Sequence, residues 1–334
     1  MERLLANFKT GDEFTRKVAG LPRRILGRTG QEVSIIGFPG LALARETEES
    51  SRTAVQQAWE RGINYFDVAP AYGKDGECEI KLGKALESLD RKKIFLSCKT
   101  KARDKEGSRA ELERSLERLK TDHFDLYQMH HLVTAEEVRR SFGPGGAIET
   151  FRAAREEGKI KWIGFSAHST RSAVEALKVF AFDTVMFPLT FADFYLRDFG
   201  PRVLEAAAER EAAVIAIKPT SKGAWPKGAV RSHPNWYRST ETPEEFALAL
   251  RFALSLRGVV AGIPTGYIEL LNKTVDAAAG YTAATTEDKE QLRKLAKDCV
   301  ALFTREDERG DSVAGNVRGP YPDHPYGFGT DHEA

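Results

Sequence analysis

Apolar residues along the chain gather in eight short runs, and between the runs they recur at the spacing of an amphipathic helix. The runs are VSIIGF (33–38), INYFDV (63–68), KIFLSCK (93–99), FDLYQMH (124–130), KWIGFS (161–166), TVMFPL (184–189), AVIAIK (213–218) and GVVAGI (258–263). Each is mostly apolar without strict alternation, which predicts strands covered on both faces. Residues 108–120 and 242–256 predict helices between strands, and helical patterns over 268–279 and 286–303 follow the eighth run. Ser108, with Glu111 three residues on, makes a capping-box pattern. Thr242 before Pro243, Glu244 and Glu245 supplies a cap, a first-turn proline and acids at the positive end of the helix dipole.

Eight strands with interleaved helices predict a single (β/α)8 barrel of the TIM type, an α/β fold. A doubly wound sheet shares the alternation, but the count of eight and the lack of GxGxxG after the first strand favour the barrel. One domain is expected over residues 1–334, with its core at about 22–303 and an extra C-terminal helix. Upstream, RRILGRTGQEVSII (23–36) predicts a β-hairpin with Gly27 and Gly30 at its turn, a plug under the barrel floor. FGPGG (142–146) reads as a loop. The pattern stops at about residue 304, and the tail 304–334, rich in glycine, proline and aromatics, shows no second domain.

Composition narrows the function classes. The 334 residues are 41% hydrophobic and 30% charged, the balance of a soluble globular protein. A net charge of +1 gives no reason to expect a nucleic-acid or membrane partner, and no apolar run reaches the length of a membrane span. Cys78, Cys98 and Cys299 lack CxxC spacing, which argues against a metal cluster or a disulfide framework and fits a reducing compartment. The N-terminus has no apolar signal core and carries Glu2, Asp12 and Glu13, so a cytoplasmic location is expected. No GxxxxGK[ST], HExxH or GxSxG occurs. DHPYGFGTDHE in the tail reads as polar decoration, so no metal site is expected. A monomer is the default for this fold class.

In such barrels the chemistry lies at the C-terminal ends of the strands. Asp67 and Tyr72 follow the second strand, Lys99 ends the third and His130 the fourth. Singly, each has a plainer reading: a helix cap, a core tyrosine, a solvated lysine, a satisfied core histidine. At successive strand ends they make chemical sense together. An ammonium beside a phenol favours phenolate and lowers the phenol's pKa, a carboxylate holds the ammonium charged, and a histidine can orient a carbonyl oxygen. His131 is expected to point away, because strand neighbours face opposite ways.

These segments resemble the aldo-keto reductase superfamily over roughly residues 22–303. NYFDVAPAYG with GECEIKLGKAL resembles the family's signature after strand two, IFLSCKT its lysine strand, DLYQMHHL its histidine strand, and GKIKWIGFSAHS the segment leading to the nicotinamide. The resemblance implies a barrel that binds a nicotinamide cofactor, NADP(H) first and NAD(H) second, and acts on a small-molecule carbonyl substrate. Tyr72 would be the general acid, Lys99 its partner, Asp67 the pair of Lys99, and His130 the residue that positions the carbonyl. On the cofactor side it implies Gly40, Leu41, Ser166, Met186, Lys218, Pro219, Thr265 and Thr274, with Lys218 facing the pyrophosphate. Several positions depart from the family pattern: Ala167 replaces an asparagine, Met186 a glutamine, Lys218 and Pro219 a tyrosine and serine, and Thr274 an asparagine. No arginine lies within 262–278, where a 2′-phosphate contact is expected, and Lys273 is its only basic residue. Two functions follow: an NAD(P)H-dependent oxidoreductase, or a cofactor-binding regulatory protein on the same barrel. Trp225, Trp236, Phe191 and Phe194 are candidate substrate walls.

Overall fold

The computed structural model describes residues 14–303. The chain opens with three short antiparallel strands, β1 (Lys17–Val18), β2 (Leu21–Ile25) and β3 (Glu32–Ser34). The hairpin turn runs over Gly27–Thr29, with Gly27 and Gly30 both at positive φ, as expected. Its apolar residues Leu26 and Val33 are fully buried against Tyr65, Phe95, Leu126 and Ala213, so the hairpin closes the floor of the barrel. Arg24 ties it down by donating to the carbonyls of Leu254 (3.0 Å) and Val259 (2.9 Å). Gly62 packs beneath at φ +93°, where a Cβ would lie 2.1 Å from the Val18 oxygen.

Eight parallel strands follow: β4 (Phe38–Pro39), β5 (Tyr65–Asp67), β6 (Phe95–Thr100), β7 (Phe124–Leu132), β8 (Ile160–Ala167), β9 (Thr184–Pro188), β10 (Ala213–Ile217) and, after an antiparallel pair β11 (Ser221–Ala224) and β12 (Tyr237–Ser239), β13 (Val259–Ile263). A parallel bridge from Ile36 to Gly262 closes the ring, with Gly37 N donating to Gly262 O and Gly262 N to Ile35 O. All eight predicted strands are present. The first run, 33–38, is divided: its start belongs to the floor hairpin and its end to the barrel. Both parts are apolar because both are buried, so hydrophobicity alone could not separate them.

The helices alternate with the strands as predicted. Thr242 caps Pro243–Leu254 by accepting from Glu245 N. Ser108 is not a cap: the helix begins at Lys105, Asp104 accepts from Gly107 N at 2.8 Å, and the Ser108 hydroxyl bonds the Lys105 carbonyl inside the helix. Residues 143–146 form the expected loop. Thr286–Ala296 is the extra helix, after which the chain returns to the barrel mouth, where Asp193 Oδ1 accepts from Leu302 N (2.6 Å) and Phe303 N (2.8 Å). The tail 304–334, with the DHPYGFGTDHE segment, lies outside the described residues. No helix among the described residues is long and apolar enough to cross a membrane.

Candidate active site

The parallel register places the strand ends side by side: Asp67 opposite Ser97, Lys99 opposite Gln128, and Ser166 opposite Met186. Asp67, Lys99 and His130 are 2%, 0% and 6% exposed. The Lys99 ammonium is the centre of the cluster. It donates to Asp67 Oδ2 at 2.5 Å, to the Val68 carbonyl at 3.1 Å and to the Tyr72 hydroxyl at 3.3 Å. Asp67 Oδ1 accepts from Ser97 Oγ at 3.2 Å, and Gln128 Nε2 donates to Ser97 at 2.8 Å, so a buried network fixes the carboxylate that fixes the lysine. His130 meets Tyr72 edge to face, with ring centroids 5.6 Å apart. The four residues expected together are brought together.

Their electrostatics differ from expectation in one respect. The Tyr72 phenol is held well above its ordinary pKa, first by burial and then by the Asp67 carboxylate, so it rests fully protonated. Burial also raises the Asp67 carboxyl, against the pull of Lys99. Burial, followed by the Lys99 charge, pushes His130 well below its usual value and keeps it neutral. Its Nδ1 finds no hydrogen-bond partner among the described residues.

His131 breaks the alternation rule. Met129 pairs with Phe165 and Leu132 with Ala167, so two residues of β7 oppose one of β8, a β-bulge. His131 takes φ +61°, donates its N–H to Ser166 Oγ at 2.7 Å, and packs its ring 4.4 Å from that of His168.

The residues assigned to the cofactor are spread around the same mouth. Gly40 lies flush against the end of β5, where a Cβ would come within 2.5 Å of the Asp67 oxygen, and Leu41 packs against Gly266. Thr265 shares a hydrogen bond with Ser239 at 3.1 Å. Met186 faces the barrel interior, Lys218 is buried just past β10, and Pro219 packs toward Gly262. Thr274 is not brought to this surface: it is fully buried, and its hydroxyl bonds the Leu270 carbonyl one turn back at 2.7 Å. Of the candidate walls, Phe191 and Phe194 are core packing and the Trp225 indole bonds Asn235 O, while Trp236 alone lies beside Lys218, 5.5 Å from its ammonium.

One residue escaped the sequence reading. Arg45, at the end of the turn Gly40–Arg45, lies 4.2 Å over the Tyr267 ring and donates to Gly266 O at 3.3 Å. It has no carboxylate within ion-pair distance among the described residues. Only the three-dimensional fold joins it to residues 265–267, and nothing in the local sequence signals it.

A profile of the aldo/keto reductase family matches residues 36–298. The chain belongs to the aldo/keto reductase family. Over 226 residues it is 27% identical to "Probable aldo-keto reductase 1" of Glycine max, covering 63% of this chain and 62% of that protein. It is 28% identical over 213 residues to the uncharacterized oxidoreductase YqkF of Bacillus subtilis (strain 168), covering 60% of this chain and 65% of that protein. The matched part therefore spans a little under two thirds of these relatives' length. Among solved structures, aldo-keto reductase AKR11C1 from Bacillus halodurans in its holo form matches with a TM-score of 0.68 and 25% identity, over 87% of this chain and 100% of that one.

Proposed function

We propose that this aldo/keto reductase is an NAD(P)H-dependent oxidoreductase that reduces aldehydes or ketones to alcohols, with Tyr72 as the proton donor. The observation that carries this reading is a single buried ammonium, Lys99, bonded at once to Asp67 and to the Tyr72 hydroxyl. When bound, a reduced nicotinamide supplies hydride to the carbonyl carbon. Tyr72 gives its proton to the carbonyl oxygen as negative charge develops there. Lys99 then stabilises the phenolate left behind, and Asp67 keeps Lys99 charged and in place. His130, neutral, has one N–H to orient the oxygen.

The residues at the mouth suit a dinucleotide. The helix Ile268–Ala279 starts without a side-chain cap, the hydroxyls of Ser239 and Thr265 lie beside it, and the Arg45 guanidinium is free of any acid among the described residues. We assign cofactor contacts to Gly40, Leu41, Ser166, Met186, Pro219 and Thr265, whereas the Lys218 main chain is already engaged with Ile263 and Ser221. Arg45 supplies the positive charge that a 2′-phosphate needs, so NADP(H) is the proposed cofactor and NAD(H) the alternative.

Tyr72→Phe tests the mechanism. It should lower carbonyl reduction about a thousandfold, within the usual worth of a positioned acid, while nicotinamide fluorescence still reports cofactor binding. A variant that keeps its activity refutes the role of Tyr72. An unmodified protein that binds cofactor yet reduces no member of a broad carbonyl panel favours the regulatory reading.

A further inference from the structure

We propose that Lys218 and His168 form a subsite for an anionic group on the substrate, a carboxylate, at the edge of the carbonyl site. The inference rests on the carbonyl-reductase reading above and adds a substrate class to it.

Lys218 is a cation in an unusual place. Its backbone sits at φ +58° immediately after β10, pinned by Lys218 N donating to Ile263 O (3.1 Å) and Ser221 N donating to Lys218 O (3.0 Å). The side chain is 9% exposed. Its ammonium lies 3.0 Å from His168 Nε2 and has no other side-chain hydrogen bond among the described residues. An ammonium can only donate, so His168 Nε2 accepts and the imidazole in this contact is neutral. The rings of Trp236, Tyr237 and Phe303 surround the charge at 5.5, 5.6 and 6.0 Å.

The nearest acid does not pair with it. Asp193 attracts Lys218 from a distance, but its oxygens are taken by Leu302 N, Phe303 N and Thr190 Oγ1. A buried ammonium with one neutral partner is costly, and burial pushes its pKa down to about 7. Two of its three N–H donors remain to be matched. A carboxylate has two oxygens and one charge, which matches those two donors and the single ammonium. A diphosphate carries more charge than one ammonium between aromatic walls can balance.

The place is also right for a substrate. The Tyr237 ring lies 5.6 Å from the Lys218 ammonium on one side. On the other side, the rings of His130, His131 and His168 run in sequence from Tyr72 to Lys218. A carbonyl held at Tyr72 and His130 therefore has an acid-binding group at the next wall of the same mouth.

The test compares a series of ω-oxo carboxylates of increasing chain length, each beside its methyl ester, with NADPH at about pH 6. The unmodified enzyme should favour the acid over its ester by about tenfold in kcat/KM at the best length, the worth of one hydrogen bond between charged groups. Lys218→Met should bring that ratio close to one, and Lys218→Arg should keep most of it. Equal use of acid and ester at every length, or a preference that survives in Lys218→Met, overturns the proposal. So does a large loss of NADPH affinity in Lys218→Met with an unchanged acid-to-ester ratio, which assigns the ammonium to the cofactor pyrophosphate. If neither acids nor esters react, the reductase reading fails. Calorimetric titration with pentanoate then decides the subsite separately: binding lost in Lys218→Met upholds it, and no binding to the unmodified protein overturns it.

Discussion

Replacing Lys218 with methionine should change how stability depends on pH, and the size of the change follows from the site. The Lys218 pKa is pushed from 10.5 to about 7, first by burial and with partial relief from Asp193. Between those values the unfolded chain holds a proton that the folded chain has released. Unfolding therefore takes up a proton, and stability rises with pH across this window. Each pH unit contributes about 1.4 kcal/mol per proton. Near pH 7 the folded group is half protonated, so the gain from pH 7 to 9 is about 2 kcal/mol rather than the full two-unit value. The methionine variant lacks this titrating group, while His168 and Asp193, the groups facing the ammonium, stay in both proteins. Urea unfolding followed by tryptophan fluorescence, in a buffer free of carboxylate and phosphate, gives each protein's stability at both pH values. The unmodified protein should gain about 2 kcal/mol more than the variant. Parallel changes in the two proteins would show that Lys218 titrates as an ordinary surface lysine, and the argument from its burial would fall.

Asp67→Asn should destabilise the fold by about 3–5 kcal/mol, because it leaves the fully buried Lys99 charge without its carboxylate, and denaturant midpoints measure this. A cost below about 1 kcal/mol would mean that Lys99 sits in a wetter site than its burial indicates. Arg45→Gln should cut the preference for NADPH over NADH about tenfold, read as a ratio of dissociation constants from nicotinamide fluorescence. An unchanged ratio would remove Arg45 from the 2′-phosphate site. Asp104→Ala should lower stability by about 1 kcal/mol through loss of the observed cap, and a neutral result in thermal unfolding would contradict the cap assignment.

The barrel was legible because its strands are largely buried on both faces and so carry mostly apolar runs. The candidate cluster was legible because Asp67, Tyr72, Lys99 and His130 fall at or just past successive strand ends, which the parallel register sets side by side. Errors arose where one local rule met a competing one. Ser108 has the sequence of a cap, but Asp104 offers a carboxylate four residues earlier and starts the helix first. Thr274 has a suitable residue type at a family position, yet a threonine inside a helix can bond the carbonyl one turn back, and this one does. The Tyr72 phenol has the expected ammonium beside it, but removal from water and the Asp67 charge act in the opposite direction and prevail.

Arg45 escaped the sequence reading and the enclosure of Lys218 was not legible in it, for one physical cause. Arg45 meets Gly266 across most of the length of the chain, and Lys218 is enclosed by rings from β12 and from the segment after the last helix. Sequence pattern reports what a residue does with its neighbours at periods of two or 3.6, and a contact between distant loops has no period. His131 shows the same limit at close range. One extra residue in β7 is invisible as a pattern, yet the bulge sets its ring beside His168 and gives its amide to Ser166. Both consequences fall at the mouth, where alternation gives way to loops. A buried ammonium there, bonded to one imidazole and to no acid among the described residues, is the observation from which the carboxylate subsite is argued.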